Sequence, residues 1–170
     1  MINWKRVVFL QNNMESVMKI ASYICKRYLS EFGERIDEMK LHKLLYFTQR
    51  ECLVQTGEPM FPEVFYAWKY GPVMPEIRLL YKEDRLTDIP ADSVIRKYSD
   101  VFDAVFRKYA GKDSWSLSRL SHGELSWQNA RKGLIATENG HHQMNLADIR
   151  MDAERIKQRR QILSKFRTLV

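Results

Sequence analysis

Between Lys40 and Lys82 the apolar spacing changes character twice, and few architectures accommodate that in so short a stretch. Leu41, Leu44, Leu45, Thr48 and Cys52 recur at the i, i+3, i+4, i+7 interval of an amphipathic helix over 40–55. Thr56-Gly57-Glu58-Pro59 ends it, since glycine tolerates the left-handed conformation after a helix and proline cannot continue one. Residues 64–70, VFYAWKY, are aromatic and β-branched, which favours an extended segment with Val64, Tyr66, Trp68 and Tyr70 on one side. Gly71-Pro72 is read as a turn. Pro75 suits the first turn of a further helix, whose apolar face is Ile77, Leu80 and Tyr81.

The rest of the chain reads as helical. A helix from Asn13 or Ser16 to about Phe32 buries Val17, Ile20, Ala21, Ile24, Tyr28 and Leu29, and Gly33 stops it. Residues 83–92 are polar and form the expected mobile loop. Tyr98 to Tyr109 places Val101, Phe102, Val105, Phe106 and Tyr109 on one face, and short helices follow at 116–122 and 126–131. After a loop over 133–145, a terminal helix begins at Asn145 or Asp148 and turns Ile149, Ala153, Ile156, Leu163 and Phe166 inward. The fold class is therefore mainly α, a compact helical domain with one short β element around 64–70. At 170 residues, one domain is expected. Trp4, Val7, Phe9 and Leu10 make the first dozen residues too apolar for a free tail.

Four ordered blocks carry a family resemblance. They are Lys40-Leu41-x-Lys43-Leu44-Leu45-Tyr46; Gly57-x-Pro59-Met60-Phe61; Ala67-Trp68-x-Tyr70-Gly71-Pro72-Val73-x-Pro75; and Leu117-Ser118-x-Leu120-Ser121-His122-x-Glu124-x-x-Trp127-x-x-Ala130-Arg131. Over roughly residues 17–131 the chain resembles the Panacea antitoxin domain, the SocA-like and GepA-like phage-associated group. Residues 1–12 and a basic helix over about 146–168 stand as additions. The resemblance implies a mainly helical fold and a non-enzymatic role, the neutralisation of a neighbouring toxin by direct protein binding. Its signature residues Lys43, Leu44, Tyr46, Trp68, Ser121, His122, Glu124, Trp127 and Arg131 are read as structural.

No metal or catalytic pattern competes with that reading. His122-x-Glu124 and His141-His142 lack the three convergent ligands or the oriented base that zinc or acid–base chemistry needs. Ser121 and Glu124 have the spacing of a capping box. No glycine-rich phosphate loop exists, so no cofactor is expected. An enzyme using His122 and Glu124 as an acid–base pair ranks last.

Partner binding is expected on two surfaces. One is the turn Tyr70, Gly71, Pro72, Val73 and Met74, where proline-flanked rigidity lowers the entropic cost of association. The other is the basic terminal helix, with Arg155, Arg159 and Arg160. Net charge is +7 and the pI is near 9.4. That balance suits an acidic protein or nucleic acid, but no helix-turn-helix spacing supports the second. The alternatives to a toxin-binding protein are an adaptor delivering a client to a protease and a nucleic-acid-associated regulator. Cys25 and Cys52 lack CxxC spacing and read as reduced core residues that lie near one another. No apolar run is long enough to span a membrane and no secretory signal is evident, so a cytoplasmic location is expected.

Overall fold

The computed structural model describes residues 14–167. The expectations for the first dozen residues, and for Asn13 as a cap, lie outside them. In order, the elements are α1 (Val17–Phe32), α2 (Glu38–Thr56), β1 (Tyr66–Trp68), β2 (Gly71–Val73), α3 (Pro75–Lys82), α4 (Asp92–Lys97) and α5 (Ser99–Val105). A π-helical turn (Phe106–Ala110) follows, then α6 (Ser114–His122), α7 (Leu125–Ala130) and α8 (Leu146–Arg167). The fold is mainly α with one small antiparallel hairpin. Among the described residues, no helix is long and apolar enough to cross a membrane.

Helix α2 is the axis. Asp37 accepts from Lys40 N at its start, and Gly57 closes it in the left-handed conformation at φ 76°. Helices α1, α5, α6 and α8, strand β2 and the π turn all pack on it. The helix is buried from Lys40 through Val54, all round rather than on one stripe. This corrects the amphipathic reading. Most of its polar side-chain atoms meet partners there, His42 Nε2 and Arg50 Nε being exceptions among the described residues. Lys40 Nζ donates to Tyr28 Oη at 2.8 Å, Gln49 Nε2 to Phe61 O at 2.7 Å, and Arg160 reaches Glu51 through two bonds of 2.7 and 2.8 Å.

The hairpin pairs Tyr66 with Val73, Ala67 with Pro72 and Trp68 with Gly71. The chain therefore turns at Lys69-Tyr70, two residues earlier than expected, and Gly71-Pro72 belongs to the second strand. The alternation of residues 64–70 is present. Phe65 and Ala67 point inward, while Val64 and Tyr70 are exposed and Tyr66 and Trp68 half-buried. Both faces are apolar in sequence, so composition could not choose between them. Residues 142–144 run antiparallel beside β1, with Ala67 N donating to His142 O and Met144 N to Phe65 O.

Three further expectations change. Leu29 is exposed on α1. Residues 92–97, given no element from the sequence beyond the loop ending at 92, form helix α4. On α8, Ile149 and Ala153 are buried and Ile156 partly so, but Leu163 and Phe166 are exposed, as is every residue from 157 to 167, although Arg160 reaches back to Glu51. Cys25 and Cys52 are free thiols, raised above their ordinary pKa by burial.

Candidate functional site

The hairpin is fixed by side chains that reach its carbonyls from three directions. Arg131 Nη1 donates to Ala67 O at 2.9 Å, and Trp127 Nε1 to Trp68 O at 2.9 Å. Ser118 Oγ donates to Tyr70 O at 2.8 Å, and Lys43 Nζ to Pro72 O at 3.2 Å. A two-stranded ribbon alone is marginal in water, so four side-chain bonds on eight residues decide its shape. The first and fourth sequence blocks thus act on the third. Gly71 completes the fit at φ 108°, where a Cβ would run into Ser121 Oγ and Lys43 Cε.

Behind the hairpin lies a second polar cluster. Glu124 forms a contact ion pair with Arg50, whose Nη2 donates to Tyr109 Oη at 2.6 Å. Tyr46 Oη lies 2.9 Å from Ser126 Oγ and 3.4 Å from both Glu124 and Asp152. Asp152 accepts from Leu125 N and Ser126 N, and so caps α7 from α8. The π turn delivers Tyr109 to this cluster and stacks its ring on Phe47 at 4.2 Å. The cluster therefore ties α2, α7, α8 and the π turn to one another.

The capping-box reading of Ser121 and Glu124 is overturned. Ser121 sits in the last turn of α6 and donates to Ser118 O, while Glu124 precedes α7 without capping it. His122 and Glu124 are not brought together as an acid–base pair. His122 stacks on Trp127 at 4.1 Å with Ser118 Oγ 3.4 Å from its Nε2, and burial lowers its pKa. His141 and His142 are exposed. Among the described residues no His, Cys, Asp or Glu cluster could hold a metal ion.

Of the expected partner surface, Gly71, Pro72, Val73 and Met74 are buried, so Tyr70 alone offers a side chain there. Tyr70, 44% exposed, meets Trp115, 56% exposed, edge-to-face at 5.2 Å. Lys69 lies over the Tyr70 ring at 4.8 Å. Trp115 had no signal in sequence, because a tryptophan in a first helical turn reads equally well as core. On α8, Arg155 and Arg159 are exposed, but Arg160 is spent on Glu51. Leu44 is core, and Trp68 and Trp127 are half-buried rather than enclosed.

Lys43 has a titration that can be measured. It is buried with no carboxylate partner, and burial pushes its ammonium down to about 7 from an ordinary value of 10.5. Unfolded, it keeps its proton to near the ordinary value, so above pH 7 the unfolded chain binds more protons and Lys43 adds stability as pH rises. Below pH 7 both states are protonated and the slope vanishes. The stability of the natural chain relative to Lys43→Met is expected to rise by about 2 kcal/mol between pH 7 and 9. Urea unfolding of both proteins at pH 6, 7, 8 and 9 checks this, and parallel curves would refute it.

Most of the stretch that holds this geometry also matches a known family. Residues 41–128, about half of the chain, match the family described as Antitoxin SocA-like, Panacea domain. One curated relative, Antitoxin SocA of Caulobacter vibrioides (strain NA1000 / CB15N), is 45% identical over 42 residues. That match covers 25% of this chain and 22% of the relative, so the chain aligns with under a quarter of that protein's length. No solved structure matches the chain. Lys43, Ser118 and Trp127, which hold the hairpin, and Arg50 and Glu124, which pair behind it, all fall within the matched residues, and the chain belongs to the SocA-like antitoxin family with the Panacea domain.

Proposed function

We propose that this protein is the antitoxin of a toxin–antitoxin pair and neutralises its cognate toxin by direct contact, without chemistry of its own. The observation that carries the reading is the Tyr70–Trp115 edge, an exposed aromatic pair on a hairpin whose carbonyls are fixed from Lys43, Ser118, Trp127 and Arg131. Tyrosine and tryptophan dominate interface hot spots, and a ribbon already in its bound shape loses little entropy on docking. The exposed end of α8 supplies a second, electrostatic element. Arg155, Lys157, Arg159 and Arg167 stand exposed there beside Ile162, Leu163 and Phe166, with no acidic residue after Glu154. Such a run speeds encounter with an acidic partner more than it holds one.

The experiment uses the protein product of the reading frame beside this one. Co-expression should relieve the growth arrest that the toxin causes, and a complex should survive gel filtration. Tyr70→Ala and Trp115→Ala are each expected to raise the dissociation rate about tenfold with circular dichroism unchanged. Arg155, Lys157 and Arg159 changed together to Gln should slow association and flatten its salt dependence. Arrest that persists despite expression would sink the antitoxin reading. Relief with unaltered dissociation from both aromatic variants would move the interface elsewhere.

A further inference from the structure

A cavity of about 620 Å³ opens between the segment 58–65 and the start of α8. Phe61, Val64, Phe65, Tyr98, Met144 and Ile149 make its wall mostly apolar. Its polar groups are engaged elsewhere: Gln49 bonds the backbone of Met60 and Phe61, Arg150 meets Gly57 O and Glu58, and the Lys97 ammonium lies over the Tyr98 ring. Such a wall suits apolar side chains better than a charged ligand. The described chain begins at this cavity. Met14 is one of the lining residues, Glu15 N donates to Met60 O at 2.8 Å, and Val17 N to Glu63 Oε1 at 3.4 Å, so residues 14–17 run along the 60–63 wall. Residues 1–13 therefore join the domain at the cavity itself, and they carry Trp4, Val7, Val8, Phe9 and Leu10. A chain advances at most about 3.3–3.6 Å per residue, which puts Leu10 and Phe9 within roughly 18 Å of Met14.

We propose that the chain's own N-terminal segment occupies this cavity, with Phe9 and Leu10 against the Phe61, Phe65 and Ile149 wall and Gln11-Asn12-Asn13 spanning from there to Met14. Tethering decides the occupant. A segment attached at the rim meets the cavity at an effective concentration in the millimolar range, far above that of a free ligand or a second copy. Its apolar side chains, which would otherwise form an exposed patch, gain a matching wall. The inference goes beyond the antitoxin reading, because none of the lining residues belongs to the Tyr70–Trp115 edge or the exposed end of α8. Docked in this way, the segment is a strap from the start of α1 to the start of α8 that leaves the partner surface open.

Photo-crosslinking of the full chain with p-benzoylphenylalanine in place of Phe9 tests the assignment, on an equal mixture of isotopically labelled and unlabelled protein read by mass spectrometry. Crosslinks should fall within one chain, on Met144, Leu146, Ile149 or residues 61–65. Leu146→Arg and Val64→Arg, both at exposed positions of the lining, should each cut the yield about tenfold with circular dichroism unchanged. Limited trypsin digestion gives an independent readout. Cleavage after Arg6 needs the residues on both sides extended in the protease, so docking of 7–10 protects that bond, and Phe9→Asp should speed the cut about tenfold. The assignment is overturned if crosslinks join two chains, which would seat a second copy's segment in the cavity, or if they fall elsewhere or do not form. It is equally overturned if neither arginine variant lowers the yield, or if Phe9→Asp leaves the cleavage rate unchanged.

Discussion

Glu124→Ala is expected to destabilise the protein by about 3–5 kcal/mol, the range seen when one member of a buried ion pair is removed. The Arg50 side chain is 3% exposed and cannot turn to water when its carboxylate is lost. Among the described residues its Nε has no partner, so the Tyr109 hydroxyl would be its remaining bond there. Replacing both members, as in Arg50→Met with Glu124→Leu, should cost less than Glu124→Ala alone, because no bare charge stays inside. Ser121→Ala should add independently to Glu124→Ala, since the serine bonds Ser118 and not the glutamate. Urea unfolding of the four variants measures all of this. A loss below about 1 kcal/mol for Glu124→Ala would mean that water reaches Arg50 and that the cluster does not hold these helices.

That pair also shows where the sequence was readable and where it was not. The limits of α2 were legible because its signals are local: a stripe of leucines, then Gly57 and Pro59. The burial of its other faces was not, because what buries them is remote. Glu124 lies 74 residues from Arg50, Asp152 lies 106 from Tyr46, and Arg160 lies 109 from Glu51. Ser121 and Glu124 have the spacing of a local cap, and only the tertiary fold reassigns each of them to a different task. The strand showed the same limit, as its period was visible but its inner face was not. On α8, Leu163 and Phe166 continue the inward spacing of Ile149, Ala153 and Ile156, but the body of the domain ends before they reach it. Asp152 carried one overlooked hint, an acidic residue on the inward stripe of a basic helix. The antitoxin family itself was legible, since its blocks are contiguous motifs. Why those blocks occur together was not, until the hairpin showed that Lys43, Ser118, Trp127 and Arg131 all reach one ribbon.

Gly71→Ala tests that ribbon at its tightest point. At φ 108° an L-residue with a Cβ carries a backbone penalty of about 1–2 kcal/mol. The added methyl must also displace Lys43 Cε and Ser121 Oγ, and crowding of that kind in a packed interior costs about 1–3 kcal/mol. The sum, about 2–5 kcal/mol, should appear in urea unfolding. Ser121→Ala in the same chain relieves one of the two collisions and should restore less than half of the loss, because Lys43 and the backbone angle remain. The effect on binding should exceed the effect on stability. Tyr70 is the residue before Gly71, and its carbonyl is held by Ser118 from the helix that also carries Trp115. If the ribbon shifts to admit a methyl, the Tyr70–Trp115 edge moves with it, and under the proposed function a folded Gly71→Ala protein should release the toxin more than tenfold faster than the natural chain does. A variant that folds with normal stability would show that the close approach of Gly71 to Lys43 and Ser121 is not what shapes the hairpin.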